Sequence, residues 1–290
     1  MNINLTDKIT LPGFPSGSGI VHVGDHYYAI GDDAPYLFKL DAAFAVVEKI
    51  PLLEVDTFSG TRISKPDKPD FETLEKIGDT ELVVFGSGSK SPQRDVFVRI
   101  LLEDSITVEK YVTTAFYTAL KSLPIFAGSE LNLEAVAYRN GQIFLFNRKK
   151  NLVLQFPYVE VLAYLQGVGD FPIPMATEFT LPAINGVEAG FSGATALEGQ
   201  AKIIFTASVE DTDNAYDDGE ILGSFLGTID LFDDALGGEL HYIQLPGSAG
   251  VVKVESITVT AETSPSSAAV VLITDNDRGD SDLFRGVLSW

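Results

Sequence analysis

Apolar residues along this chain mostly alternate with polar ones over four to eight positions, and turn-forming residues interrupt the alternation at short intervals. A period of two marks a strand with one face buried, whereas an amphipathic helix buries every third or fourth residue. HYYAIG, YLFKL, ELVVFGSG, DVFVRIL, QIFLFN, NLVLQF, KIIFTAS, SFLGTIDL, AAVVLITD and LFRGVLSW are the strand candidates. They fall into pairs. Each pair is preceded by a similar segment: GSGIVHVG, DFETLEKIG, NLEAVAYRN, GFSGATALEG and KVESITVT. The first four pairs are followed by a further strand: AVVEKIPLL, SITVEKYV, MATEFTLP and ELHYIQLP.

Four antiparallel strands repeated around a chain predict an all-β fold, a five-bladed β-propeller in which blades protect one another's edges. The last unit stops at Trp290 without its fourth strand, and INLTDKITL at the N-terminus supplies it, zipping the ring shut. Five units in 290 residues leave each longer than the roughly 40–45 of a compact blade, so the surplus belongs to loops. Asp56 to Pro69, Thr113 to Ser129, Phe156 to Pro174 and Glu210 to Glu220 are the surplus segments, and a six-bladed ring is the alternative if one of them hides strands. PYVEVLAYLQG is the one expected helix, with Val159, Leu162 and Ala163 packing on the outside of a blade or forming a dimer contact. Prolines and glycines are spread evenly, so residues 1–290 form a single domain.

Aligning the units places Ser18, Glu72, Glu134, Ser192 and Glu255 at one equivalent position, the head of the innermost strand. Two residues before it stand Asp70, Asn132 and Lys253. The ends of the second strands share that rim: Asp32 and Asp33, Ser87 and Ser89 with Arg94, Asn147 and Arg148, Glu210 with Asp211 and Asp213, and Asp275 with Asp277. The expected result is a funnel lined by acids, with Lys68, Arg94, Arg148 and Lys253 among them. One reading of the glutamates is structural, each accepting backbone N–H bonds or pairing with a Lys or Arg. The other is functional: carboxylates held close in a desolvated site shift one another's pKa, bind a cation or work as acid and base.

Composition narrows the ligand. A formal charge of −21 repels phosphate backbones and anionic lipid, so neither nucleic acid nor a membrane is the expected partner. A small polar ligand is. The absence of cysteine removes thiolate metal sites and thiol nucleophiles. No apolar run is long enough to span a bilayer and no leader pattern opens the chain, which predicts a soluble, cytoplasmic protein, or a periplasmic one if a leader has been removed. Calcium, a hard ion taking oxygen ligands, is the cofactor the acids would suit. Yet DTDNAYDDGE and TDNDRGDSD lack the spacing of an EF-hand loop, FGSGSK and PSGSGI lack the GK[ST] of a P-loop, and GFSGA lacks a complete nucleophile elbow. His22, His26 and His241 sit on separate strands without metal-ligand spacing.

KPDFETL, LVVFGSGSK with Arg94 following, LNLEAVA, IFLFNR, TASVEDTDNAYDDGEILGSFLG, and KVES with LITDND resemble an uncharacterised bacterial propeller family akin to the phytase-like and SdiA-regulated propeller proteins. The resemblance spans nearly the whole chain. It implies a polar central face bearing Lys68, Glu72, Ser87, Ser89, Arg94, Asn132, Glu134, Arg148, Asp213, Asp217, Lys253, Glu255, Asp275 and Asp277, with Ser192 standing where an acid is expected. Three functions follow as alternatives. In calcium-assisted phosphoester hydrolysis, which the phytase-like relatives suggest, the glutamates, Asp275 and Asp277 hold the ion while Arg148, Lys253 and Lys68 neutralise phosphate. In glycoside hydrolysis, two of Glu72, Glu134 and Glu255 are acid and base or nucleophile. In a binding module without turnover, the same rim recognises a small polar ligand or a protein.

Overall fold

Pairing confirms the predicted ring. A computed structural model describes the chain apart from residues 56, 57, 59, 61, 213–218 and 276–278, and describes residue 112 by its backbone alone. Strand β1 (Asn2–Leu11) comes first. Blade I follows as a meander of β2 (Gly17–Val23), β3 (His26–Gly31), β4 (Tyr36–Leu40) and β5 (Val46–Pro51). Blade II is β6 (Phe71–Ile77), β7 (Glu81–Gly86), β8 (Val96–Leu102) and β9 (Ile106–Val112), after which α1 (Thr114–Lys121) leads into blade III. Blade III contains β10 (Leu133–Arg139), β11 (Gln142–Asn147) and β12 (Leu152–Pro157), then α2 (Tyr158–Leu165), and ends on β13 (Met175–Glu178). A small hairpin, β14 (Ala183–Ile184) and β15 (Val187–Glu188), precedes blade IV: β16 (Gly190–Ala196), β17 (Lys202–Asp211), β18 (Glu220–Phe232) and β19 (Ala235–Gln244). Blade V has β20 (Lys253–Ser264), β21 (Ser267–Asp275) and β22 (Ser281–Ser289), and β1 is its outer strand, antiparallel to β22 with Ile3 opposite Leu288 and Thr10 opposite Asp282. Five four-stranded sheets rule out the six-bladed alternative.

The core is divided among the seams between blades. Five buried clusters occupy five interfaces, for example Val83, Phe85 and Phe97 of blade II against Val136, Leu145 and Leu154 of blade III. Blade III presents Ala135, Ala137, Phe144 and Phe146 to Phe191 and Phe205 of blade IV. Alternation along a strand thus sends successive side chains into the two flanking seams, which is why second strands such as β7 and β11 are apolar on both faces.

Two surplus segments are helical. Thr113 to Ser129, expected as loop, contains α1, which buries Phe116, Tyr117 and Leu120, and the Tyr117 hydroxyl donates to the Gly86 carbonyl at 2.8 Å. Its sequence TAFYTALK is rich in residues of poor helix propensity, so packing rather than propensity makes the helix. The expected helix forms over Tyr158–Leu165 and Leu162 packs as expected, but the buried residues are Tyr158 and Val161, while Val159 is 69% exposed. The aromatic Tyr158 at the first turn sets the rotation. Its hydroxyl donates to Glu81 of blade II, which turns the Val159 face outward.

One irregularity recurs in every blade. The pairing of first and second strands slips by one residue between Gly17 and Gly19, Phe71 and Thr73, Leu133 and Ala135, Phe191 and Gly193, and Val254 and Ser256. Each slip is a β-bulge, an extra residue that leaves the ladder and re-aims its side chain. The extra residues are Ser18, Glu72, Glu134, Ser192 and Glu255. Leu133 and Val136 accordingly enter the same seam although they are three apart, and Glu134 between them enters neither.

Candidate functional site

The five bulged residues stand where the inner strands begin, around the head of the central channel. They divide into two kinds. Ser18 donates its hydroxyl to the carbonyl of Phe71 in the next blade, and Ser192 donates to the carbonyl of Val254 at 2.6 Å. Phe71 precedes Glu72 and Val254 precedes Glu255. The serine of one blade therefore pins the backbone beside the glutamate of the next, which accounts for serine where an acid was expected at position 192.

The glutamates open into a cavity of about 360 Å³ bordered by residues of all five blades. Among the described residues eight carboxylates face it: Asp32, Asp33, Asp70, Glu72, Glu134, Glu210, Glu255 and Asp275. Seven cations join them: Arg62, Lys65, Lys68, Arg94, Arg148, Lys149 and Lys253, out of 20 Lys and Arg in the chain. A protein carrying −21 overall thus concentrates a third of its positive charge in one concavity, nearly balancing the described acids there.

On the side of blades I and II, the Lys68 ammonium contacts Asp32, Asp70 at 3.0 Å and Asp33 at 3.6 Å. Asp70, in the left-handed conformation at φ 54°, also accepts from Arg94 at 2.6 Å and from the buried Ser87 hydroxyl. Ser89 accepts from the same Arg94 nitrogen at 2.8 Å. Arg62 arrives from the 56–69 segment, held because the Ile63 N–H donates to the Asp33 carbonyl at 2.8 Å, and its Nε donates to Asp33 at 2.6 Å.

On the side of blades III to V, Arg148 bridges Glu134 at 3.4 Å and Glu210 at 2.9 Å, and Lys253 bridges Glu210 at 3.5 Å and Glu255 at 2.9 Å. Asn132 donates to Glu134 at 2.5 Å. Arg148 is placed by its own backbone, whose N–H donates to the Asn132 carbonyl at 2.9 Å.

Glu72 lies between the two networks and belongs to neither. Its carboxylate oxygens come within 4.8 Å of those of Asp32 and Asp70, yet among the described residues no hydrogen bond or ion pair reaches it. Burial, then the charges of Asp70, Glu134 and Asp32, hold its carboxyl well above the usual range. Burial also pushes Asp32 up to about 6 against the pull of Lys68, and Glu255 up to about 7 against that of Lys253. Glu134 is raised by burial, with Arg148 and Lys253 opposing. Burial acts on Glu210 too, but Lys253 and Arg148 outweigh it and hold that carboxyl below its ordinary value. One cavity therefore contains carboxyls poised near neutrality beside one that stays ionised.

Of the residues singled out from sequence, Lys68, Glu72, Arg94, Asn132, Glu134, Arg148, Lys253, Glu255 and Asp275 line this cavity. Ser87 and Ser89 stand behind it, orienting Asp70 and Arg94. Asp213, Asp217 and Asp277 lie outside the described residues. The described carboxylates grouped closely enough to share an ion are Asp32, Asp70 and Glu72, a different set from Asp275 and Asp277. Arg62, Lys65 and Lys149 were missed: the first two sit in a segment without strand pattern, the third next to Arg148 in a turn. The consecutive basic run RKK at 148–150, in so acidic a chain, was the available signal.

A ring of five blades whose inner-strand bulges feed a charged central funnel defines the class: a five-bladed propeller with a polar central face. The chain belongs, over residues 13–288, to the Family of unknown function (DUF6929). No curated protein matches it. Among solved structures it is similar to the Myxococcus xanthus glutaminyl cyclase, with a TM-score of 0.54 at 10% identity, covering 99% of this chain and 97% of that one. It is also similar to the virginiamycin B lyase of Staphylococcus aureus, with a TM-score of 0.41 at 11% identity over 98% and 99%. At such identity the first likeness shows the fold alone. No helix among the described residues is long and apolar enough to cross a membrane.

Proposed function

We propose that the funnel binds a small polar ligand at the heads of the inner strands. The observation that carries this reading is Glu72, a carboxyl facing a cavity of about 360 Å³ with no protein partner among the described residues, while its neighbours are bonded into ionic networks. Pockets of this size that hold small ligands use a few convergent polar groups for orientation. The test is a thermal-shift panel of amino acids, sugars and sugar phosphates against wild type, Glu72→Gln and Glu134→Gln. A compound that raises the wild-type midpoint but neither variant's supports the funnel. Equal shifts in all three place the ligand elsewhere.

A hydrolytic reading rests on a second observation, the carboxyls of Asp32 and Glu255 pushed to about 6 and about 7, values suited to proton transfer at neutral pH. The calcium-assisted, phytase-like form of that reading fits the residues poorly. Lys68 already engages Asp32 and Asp70, two of the three carboxylates an ion would share, and Arg148 and Lys253 are engaged by Glu134, Glu210 and Glu255. A glycosidase and phosphatase panel on wild type and Glu255→Gln, with metal content measured on the purified protein, separates the forms. Glycosidase activity lost in Glu255→Gln without bound metal favours acid and base chemistry on the glutamates.

A further inference from the structure

A second cavity of about 280 Å³ lies beside the funnel, against β15 and the head of blade IV. The two cavities share part of their walls: Arg148, Lys149, Glu210 and Thr212 line both. The junction is formed by the turn from β11 to β12, and that turn is fixed from both sides. Asn147, fully buried, donates its side-chain amide to the Lys149 carbonyl, and the Asn151 side chain donates to the Ala189 carbonyl at 2.9 Å while accepting from the Phe191 N–H at 3.2 Å. Lys150 and Asn151 hold left-handed backbone angles, φ 73° and 42°, so the turn is tight.

Three adjacent cations occupy this turn, and two of them are engaged. Arg148 bridges Glu134 and Glu210, and Lys150 donates to the Ile125 carbonyl and pairs with Glu178 at 3.4 Å. The Lys149 side chain has no hydrogen bond or ion pair among the described residues, although it is only partly exposed. Glu178, Glu188 and Glu210 also line the side cavity, but each is bonded to other groups, so an added anion would be the first direct partner of the Lys149 ammonium. In the funnel the counterpart is Glu72, an unpaired acid among acids. Among the described residues the joined cavities therefore offer an unpaired carboxyl at the funnel centre, which a nearby cation would ionise, and an unpaired ammonium at the junction.

Building on the binding reading above, we propose that the ligand is an elongated dipolar molecule, its amine against Glu72 and its carboxylate or other oxyanion against Lys149 at the mouth of the side cavity. A neutral ligand such as a sugar could hydrogen-bond both groups through its hydroxyls but would supply no opposite charge to either, and charge-assisted hydrogen bonds are roughly twice as strong as neutral ones. A simple anion would satisfy Lys149 and leave Glu72 facing Asp32, Asp70 and Glu134. An ammonium on Glu72 also offsets the repulsion among those carboxylates.

The test is calorimetric titration with ω-amino carboxylates of increasing chain length and with unblocked dipeptides, each compared with its N-acetylated and its C-amidated form. The expected result is a preferred length, a tenfold or greater loss on acetylation, and a similar loss on amidation. Glu72→Gln should abolish the discrimination against the acetylated form and Lys149→Gln that against the amidated form, with both variants retaining the wild-type unfolding midpoint within a few degrees. Blocked and unblocked compounds binding equally, or no unblocked compound binding, overturns the proposal. If neutral sugars bind and lose affinity in Glu134→Gln but not in Lys149→Gln, the dipolar ligand is refuted while the polar funnel stands. If no compound of either kind binds, both readings fall.

Discussion

Blades I and IV differ from blades II, III and V at a single equivalent position. All five carry the same bulge, yet two fill it with serine and three with glutamate. The serines turn sideways to the neighbouring blade and are buried, Ser18 at 3% and Ser192 at 1% exposure. Their bonds close the I–II and IV–V seams. The glutamates instead face the cavity, and each depends on other residues for charge balance or has none. The same backbone device thus serves as a staple when its side chain is short and neutral, and as a site when it is long and acidic. The seam joining II to III lacks a serine at the bulge and uses backbone instead, the Leu133 N–H donating to the Ser87 carbonyl at 2.9 Å.

The largest break in this comparison should come from the residue that anchors an acidic blade, Asp70. It is 3% exposed and accepts from Lys68, Arg94 and Ser87. Asp70→Ala strips one partner from a buried ionic network and should lower the unfolding free energy by about 3–5 kcal/mol in urea titration. Asp70→Asn, which keeps the Ser87 bond, should lose less. A loss under about 1 kcal/mol for the alanine variant would show that Lys68 and Arg94 re-pair with Asp32 and solvent.

The staples come next. Ser18→Ala and Ser192→Ala each delete a buried hydroxyl donor and should cost about 1–2 kcal/mol, because the carbonyl left behind loses one partner inside the protein. Ser192→Ala should be the milder, since Ser208 also donates to the Val254 carbonyl at 2.8 Å. A Ser192 variant more damaging than the Ser18 one would place the weight of the seam elsewhere than in these bonds.

The fold was legible because its signal repeats. Five copies of a strand pattern, and a unit short by one strand at the C-terminus with a spare strand at the N-terminus, leave few ways to close a ring. The ring of bulges was half legible. Their position was read from aligned glutamates and serines, but the bulge itself was written as apolar residues three apart at Phe71 and Leu74, Leu133 and Val136, Phe191 and Ala194, and Val254 and Ile257, where strict alternation demands two. That spacing was available and went unused. What could not be read is which acid pairs with which cation. Arg148 of blade III and Lys253 of blade V both reaching Glu210 of blade IV is decided by how adjacent blades lean together, and a one-dimensional pattern does not encode the lean. Helix α1 was hidden for a related reason: two of its three buried residues are aromatic and two of its polar ones are threonine, so the seam it fills selects the helical form.

The smallest effect on stability should come from the acids themselves, and it should have the opposite sign to that of the serines. Glu72 is raised well above its ordinary value by burial and by Asp70, Glu134 and Asp32. A carboxyl with a raised folded pKa contributes most to stability below its unfolded pKa of about 4.5, and that contribution is lost as pH rises toward the folded value. Glu72→Gln removes the titrating group and with it the loss. The variant should match wild type near pH 4.5 and become more stable than wild type as pH rises to 8, gaining about 1.4 kcal/mol for every tenfold by which folding tightens the carboxyl's hold on its proton. Glu255→Gln tests the same sign under restraint, because Lys253 pairs with Glu255 and would be left with Glu210 alone. Its gain should therefore be smaller or vanish. Thermal unfolding of the two variants and wild type from pH 4.5 to 8 measures the difference, and a Glu72→Gln variant that loses stability as pH rises would show that its carboxylate is ionised and held by a partner in the folded protein.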